Sequence, residues 1–246
     1  MATARGLLLD IGGVILRPAT VLAEALANSE PRLRPTVTAL AIGTEHDELW
    51  QRMLRCEISE RAYWAQRAAE LGAAIGEQWD TRTMINRMYD RPDADWLDAD
   101  CVALMADASA AGIPLGALTN DLADFHGREW VEQQEWLKPF DVIVDASVTG
   151  VLKPDPRAFA AGAAALQLDP SEVVYLDDMP WNAAAGAAAG LQAIEVSYAA
   201  PQLAFDEARS RLGLSPRAGP EAPRPEAPRG LDAPRGLPCA SDAHVA

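Results

Sequence analysis

Residues 173–196 read VVYLDDMPWNAAAGAAAGLQAIEV. Val173–Leu176 is a short apolar run of strand formers, Trp181–Leu191 is an alanine-rich helical stretch, and Ala193–Val196 is apolar again. A strand, a helix and a further strand in close succession predict a crossover unit whose strands lie parallel. The rhythm extends upstream: a helix from Ala99 to Ala111, a strand Pro114–Thr119, a helix Leu122–Gln134, a strand Val142–Val144 and a helix near Pro156–Leu166. Helix and strand in strict alternation predict an α/β fold, a Rossmann-like parallel sheet with helices on both faces.

Nearer the amino terminus, Leu7-Leu8-Leu9 ends at Asp10 and is followed by Gly12-Gly13, the pattern of a buried strand that opens into a tight loop. From Val21 to Asp100 the apolar residues Trp50, Met53, Leu54, Tyr63, Trp64, Ala68 and Leu71 fall at helical spacings, with no convincing strand. The chain therefore divides into a core (residues 1–17 and 99–214) and an inserted helical domain (18–98). Beyond Leu214 it reads SPRAGPEAPRPEAPRGLDAPRGLPCASDAHVA. Such proline and glycine density with few large apolar side chains predicts a disordered tail over 215–246.

The 246 residues are 49% hydrophobic and 23% charged, as in an ordinary globular protein. The 36 acidic residues against 21 basic ones give a formal charge of −15, which repels nucleic-acid backbones and anionic lipid and argues against both as partners. The same acidic surface also keeps a protein soluble. Cys56, Cys101 and Cys239 form no CxxC pair, and the apolar run at the amino terminus is interrupted by Asp10 and glycines, unlike a signal peptide. The expectation is a cytoplasmic protein, monomer or homodimer.

Four loops follow strands of the α/β part and would gather at one edge of a parallel sheet. They carry Asp10, Thr119, Lys153 and the pair Asp177-Asp178. A carboxylate can attack phosphorus and form an acyl phosphate, a hydroxyl and a lysine can hold the remaining phosphoryl oxygens, and further carboxylates can hold Mg²⁺. Each residue also has a structural reading: Asp10 as a turn residue, Thr119 with Asn120 and the aspartate pair as helix caps, Lys153 as a solvated loop lysine. The full set in this order favours chemistry.

LLLDIGGVI, PLGALTND, GVLKPDPRAF and VVYLDDMPWNAAAGAAAG resemble, in order and approximate spacing, the motifs of the haloacid dehalogenase superfamily. The stretch CEISERAYW, Cys56–Trp64, is similar to the helical cap of sugar-phosphatase-like members and of the N-terminal domain of bifunctional epoxide hydrolases. The resemblance implies a Mg²⁺-dependent phosphatase acting on a small phosphorylated metabolite. In it Asp10 is the nucleophile, and Asp10, the Gly12 carbonyl, Asp177 and Asp178 organise the metal. Thr119 and Asn120 bind the phosphoryl oxygens, Lys153 steadies the nucleophile, and Asn182 orders the fourth loop.

The sequence departs from the family at Gly12, where most of its phosphatases carry an acid/base aspartate. Loss of such a group costs on the order of 10²–10⁴ in rate. Either the leaving group needs little help, or a cap residue or water substitutes, or turnover is lost. The gap also admits a 2-haloacid dehalogenase, although Asp177-Asp178 suits a metal and a phosphate better, and it leaves room for a non-catalytic phosphate-binding or scaffold protein. His46, His126 and His244 form no pattern and are expected at the surface or in local hydrogen bonds; Trp130 and Trp136 are expected in the core. Arg17, Arg52 and Arg55 are the available anion contacts, and no residue of the insertion names a substrate.

Overall fold

The computed structural model describes residues 4–90 and 96–217. Strand β1 (Gly6–Leu9) leads through a loop into the helices α1 (Ala19–Ser29), α2 (Arg34–Leu40), α3 (Glu48–Leu54), α4 (Glu60–Ala74) and α5 (Thr81–Tyr89). The chain then returns through α6 (Ala99–Ala110), β2 (Leu115–Thr119), α7 (Leu122–His126) and α8 (Arg128–Glu132). The remainder is β3 (Val142–Asp145), α9 (Ala146–Thr149), α10 (Pro156–Ala165), β4 (Val173–Asp177), α11 (Pro180–Ala188), β5 (Gln192–Glu195) and α12 (Pro201–Arg211).

The strands form one 5-stranded sheet in the order β3-β2-β1-β4-β5, every pairing parallel. This is the Rossmann-like α/β architecture the alternation predicts. Side chains alternate across a strand, and the sheet divides its apolar residues accordingly. Leu7, Leu9, Val174 and Leu176 join one buried cluster with α1, α5, α6 and α12, whereas Leu8, Leu118 and Tyr175 join the other with α10. Helix α11 lies close enough to β4 that a Cβ at Gly186 would stand 2.8 Å from the Tyr175 ring.

The inserted helices leave and re-enter the core at one neck. Leu16 and Leu97 form an antiparallel bridge, Arg17 N–H donates to Trp96 O at 2.7 Å, and Asp98 N–H donates to Ile15 O at 2.8 Å. Helix α3 is held on α4 by a buried network: Asp47 caps α3 by accepting from Trp50 N–H (3.0 Å), accepts the Tyr63 hydroxyl (2.7 Å), and pairs with Arg67. Trp50, Met53 and Tyr63 then close an apolar cluster on Met179 of the core.

Two sequence expectations change. The helix expected over Leu122–Gln134 is broken at Gly127, whose φ of 89° no regular helix continues, so α7 and α8 are separate. His126 is not a surface residue; it is buried and stacked on Trp130 with ring centroids 4.0 Å apart. Trp136 is buried and Trp130 packs against the main cluster, as expected. The expected tail lies, from residue 218 onward, outside the described residues; before that, Arg217 pairs with Asp100. Among the described residues no helix is long and apolar enough to cross a membrane.

Candidate active site

Three adjacent strands, β2, β1 and β4, deliver Thr119, Asp10 and Asp177 at their carboxyl ends, the edge where open parallel sheets bind ligands. Asp10 is held there by its N–H, which donates to Leu176 O at 2.9 Å. Lys153 arrives from the loop after α9. Its backbone is clamped by Asn120, whose amide donates to Lys153 O (3.1 Å) and whose oxygen accepts from Lys153 N–H (2.7 Å). The Asn120 side chain thus fixes the Lys153 backbone beside Thr119.

The Lys153 ammonium bridges two carboxylates, 2.9 Å from Asp10 Oδ1 and 2.6 Å from Asp177 Oδ2. Asp177 also accepts the Tyr175 hydroxyl, Met179 N–H (2.9 Å) and the Asn182 amide (3.2 Å). A carboxylate has about four acceptor positions, so Asp177 is saturated. Asn182 thus orders the fourth loop through Asp177. Asp178 accepts only the Tyr198 hydroxyl among the described hydrogen bonds. Gly13, at φ 65°, lies so near that any Cβ there would run into the Asp178 carboxylate.

Burial pushes the Asp10 carboxyl up to about 7, with the charge of Asp177 adding to it and Lys153 opposing. Burial likewise drives Asp178 well above the usual carboxylate range, reinforced by Asp177 and Asp10. Burial would weaken the Lys153 ammonium, yet Asp10 and Asp177 overcome it and hold its pKa up. Asp10, Asp177 and Asp178 each offer an oxygen, and these atoms lie within 4.8 Å of one another. One ammonium among three buried carboxylates leaves uncompensated negative charge, which a divalent cation on Asp10 and Asp178 would neutralise. Saturated Asp177 suits a supporting place behind them.

Asp10, Thr119, Lys153 and Asp178 open onto a cavity of about 100 Å³ lined also by Gly12, Arg17, Glu60, Trp64, His126 and Tyr198. Of the three arginines singled out as anion contacts, Arg17 reaches it; Arg52 and Arg55 instead pair with Glu57 and Glu48 on the surface. The inserted helices are tied to the core through Arg61, which pairs with Asp121 and with Asp124 (3.2 Å), and through Arg82, which donates to Asp124 O at 2.9 Å. Sequence reasoning missed Glu60, Asp121 and Tyr198 as residues lining the site. Asp121 had a signal, being next to Asn120; Tyr198 had none.

The buried aspartate and lysine cluster thus sits at the carboxyl edge of a Rossmann-like parallel sheet. The chain belongs to the haloacid dehalogenase-like hydrolase family, which residues 4–190 match. It is similar, at 26% identity over 225 residues, to acyl-CoA dehydrogenase family member 10 of Mus musculus; the match covers 90% of this chain and 20% of that protein. The chain thus spans about a fifth of the length of that curated relative. A solved L-2-haloacid dehalogenase superposes with a TM-score of 0.53 at 18% identity, over 90% of this chain and 93% of that one. The L-2-haloacid dehalogenase of Xanthobacter autotrophicus with chloropropionic acid covalently bound gives 0.51 at 15%, over 78% and 77%. At such identities the likeness carries the fold alone.

Proposed function

We propose that the protein is a Mg²⁺-dependent phosphatase that hydrolyses a small phosphorylated metabolite through an aspartyl phosphate on Asp10. The observation that carries this reading is the set of three buried carboxylates, two of which share one lysine. Asp10, Asp178 and the carbonyl of Gly12 would hold Mg²⁺, which would supply the positive charge that lets a phosphate dianion approach these carboxylates.

Asp10 attacks phosphorus; its oxygen–phosphorus bond forms as the ester bond to the leaving oxygen breaks. The Thr119 hydroxyl and the Lys153 ammonium donate to the phosphoryl oxygens, where charge accumulates. Asp177 and Asn120 keep Lys153 in place. Water then displaces phosphate from Asp10. Asp10 must be ionised to attack; burial raises its carboxyl, and a cation held there would favour the ionised form. A cavity of about 100 Å³ suits a small substrate; one of roughly 150 Å³ holds benzene. The same reading carries a cytoplasmic enzyme, monomer or homodimer, with neither nucleic acid nor membrane as partner.

A second reading, a 2-haloacid dehalogenase, is favoured by Gly12 and by the fold shared with the two L-2-haloacid dehalogenases. Asp10 would then displace halide from carbon without a metal. Sugar phosphates, nucleotides and 2-haloacids, assayed with and without Mg²⁺, separate the two. Mg²⁺-dependent phosphate release supports the phosphatase, halide release in chelator supports the dehalogenase, and release of neither leaves a binding protein.

A further inference from the structure

Position 12 provides no proton donor, and its surroundings hold room for one: a Cβ at Gly12 would meet no atom within 4 Å. Within the same cavity a carboxyl group enters from the inserted helices. Glu60 is the first residue of α4, after the cap Ser59, and lines the cavity together with Asp10, Gly12 and Thr119. One helical turn on, Trp64 Nε1–H donates to Glu60 Oε1 at 3.2 Å and aims the carboxyl. The adjacent Arg61 pins this turn to Asp121 and Asp124 beyond β2, so Glu60 is held by both the insertion and the core.

We propose that Glu60 is the acid/base group of the hydrolysis, replacing from the inserted helices the carboxylate that Gly12 lacks; the assignment rests on the phosphatase reading. In the first step the Glu60 carboxyl gives its proton to the leaving oxygen as the P–O bond breaks, releasing an alcohol and leaving Glu60 as a carboxylate. In the second, that carboxylate takes a proton from the water attacking the aspartyl phosphate, which frees phosphate, regenerates Asp10 and returns Glu60 to its acid form.

The surroundings of Glu60 suit both halves. Burial, with the charges of Asp121 and Asp10, pushes its carboxyl up to about 7, against the Trp64 hydrogen bond and Lys153. Asp178 and Tyr198 also feel its charge. Acid and base forms therefore coexist near neutral pH. The neighbouring titratable groups are less suited: Asp121 is tied to Arg61, and burial holds His126 neutral down to about 3.

The test is Glu60→Gln across phosphate monoesters of graded leaving-group pKa, from nitrophenyl to alkyl, with Mg²⁺. We expect alkyl phosphates to lose on the order of 10²–10⁴ in kcat/KM and the enzyme-phosphorylation burst with nitrophenyl phosphate to change less than about tenfold. The limb of the pH profile that reports the acid should vanish, and Gly12→Asp in the same background should restore alkyl phosphate hydrolysis. Equal losses for all leaving groups, no loss, or no rescue would overturn the assignment. Gly12→Asp alone gives a check independent of how Glu60→Gln folds: its gain on alkyl phosphates should stay below about tenfold, because the proton is already supplied, and a larger gain confined to poor leaving groups would also overturn it. Absence of phosphate release by the wild type from every ester would instead remove the phosphatase reading, and the assignment with it.

Discussion

Lys153 and Asp177 form the buried pair on which the site is organised: the ammonium lies 2.6 Å from Asp177 Oδ2 while still reaching Asp10 at 2.9 Å. Because Asp177 is saturated by Lys153, Tyr175, Met179 and Asn182, it cannot swing away, and the lysine is fixed beside the nucleophile. Removing one partner of a buried pair leaves uncompensated charge and costs about 3–5 kcal/mol. Lys153→Gln should therefore lower both activity and stability, the latter most above pH 7. Without the ammonium the Asp10 carboxyl rises further, so the folded state binds a proton more tightly than the unfolded chain and the deficit shrinks as the pH falls. Denaturant titrations at pH 5 and pH 8 read the difference; an equal loss at both would contradict it.

Mg²⁺ should raise the melting temperature, since it binds the folded cluster and not the unfolded chain. Cation and proton compete for Asp10, whose carboxyl is raised to about 7 by burial. Asp178, whose carboxyl burial drives well above the usual range, competes in the same way, so the apparent affinity should fall at least roughly tenfold per pH unit below 7. Thermal melts with graded Mg²⁺ at pH 6 and pH 8 check this; a shift independent of pH would contradict it.

Tyr198→Phe removes the hydroxyl that donates to Asp178. That hydrogen bond opposes the burial that raises the Asp178 carboxyl. Loss of such a supporting partner typically weakens metal binding about 10–100-fold, and the expected result is a Mg²⁺ requirement shifted by that factor with little change in fold. Calorimetric titration of Mg²⁺ into both proteins measures it.

Gly186→Ala sets two effects against each other. Alanine favours the helix by roughly 0.5–1 kcal/mol, but its Cβ would stand 2.8 Å from the Tyr175 ring, inside a buried layer. Overpacking of a close-packed core costs about 1–3 kcal/mol, so the variant should melt lower. Because Tyr175 donates to Asp177, activity should fall as well.

The sheet was legible in the sequence because each strand, Leu7–Leu9 or Val173–Leu176, is a short apolar run followed by a polar residue, and alternation with helices leaves one topology class for such runs. The same logic places Asp10, Thr119, Lys153 and Asp177 together. It fails where a side chain acts across elements distant in sequence. Glu60 begins an ordinary amphipathic helix, and the packing of α3 and α4 on Met179, with Arg61 paired to Asp121, brings it to the cavity that Asp10 lines. Apolar spacing runs past Gly127 without a break, so the end of α7 was hidden. The direction of the Asn120 amide depends on a loop 33 residues away.

The most direct measurement is rapid quenching of the enzyme during turnover of nitrophenyl phosphate with Mg²⁺, followed by mass mapping of the peptide that contains Asp10. The account predicts one phosphoryl group on Asp10, absent in chelator and in Asp10→Asn, with the fold of that variant unchanged because the amide keeps the shape and loses only the nucleophile. An Asp10 that never carries phosphate, in an enzyme that releases halide from 2-chloropropionate in chelator, would contradict it.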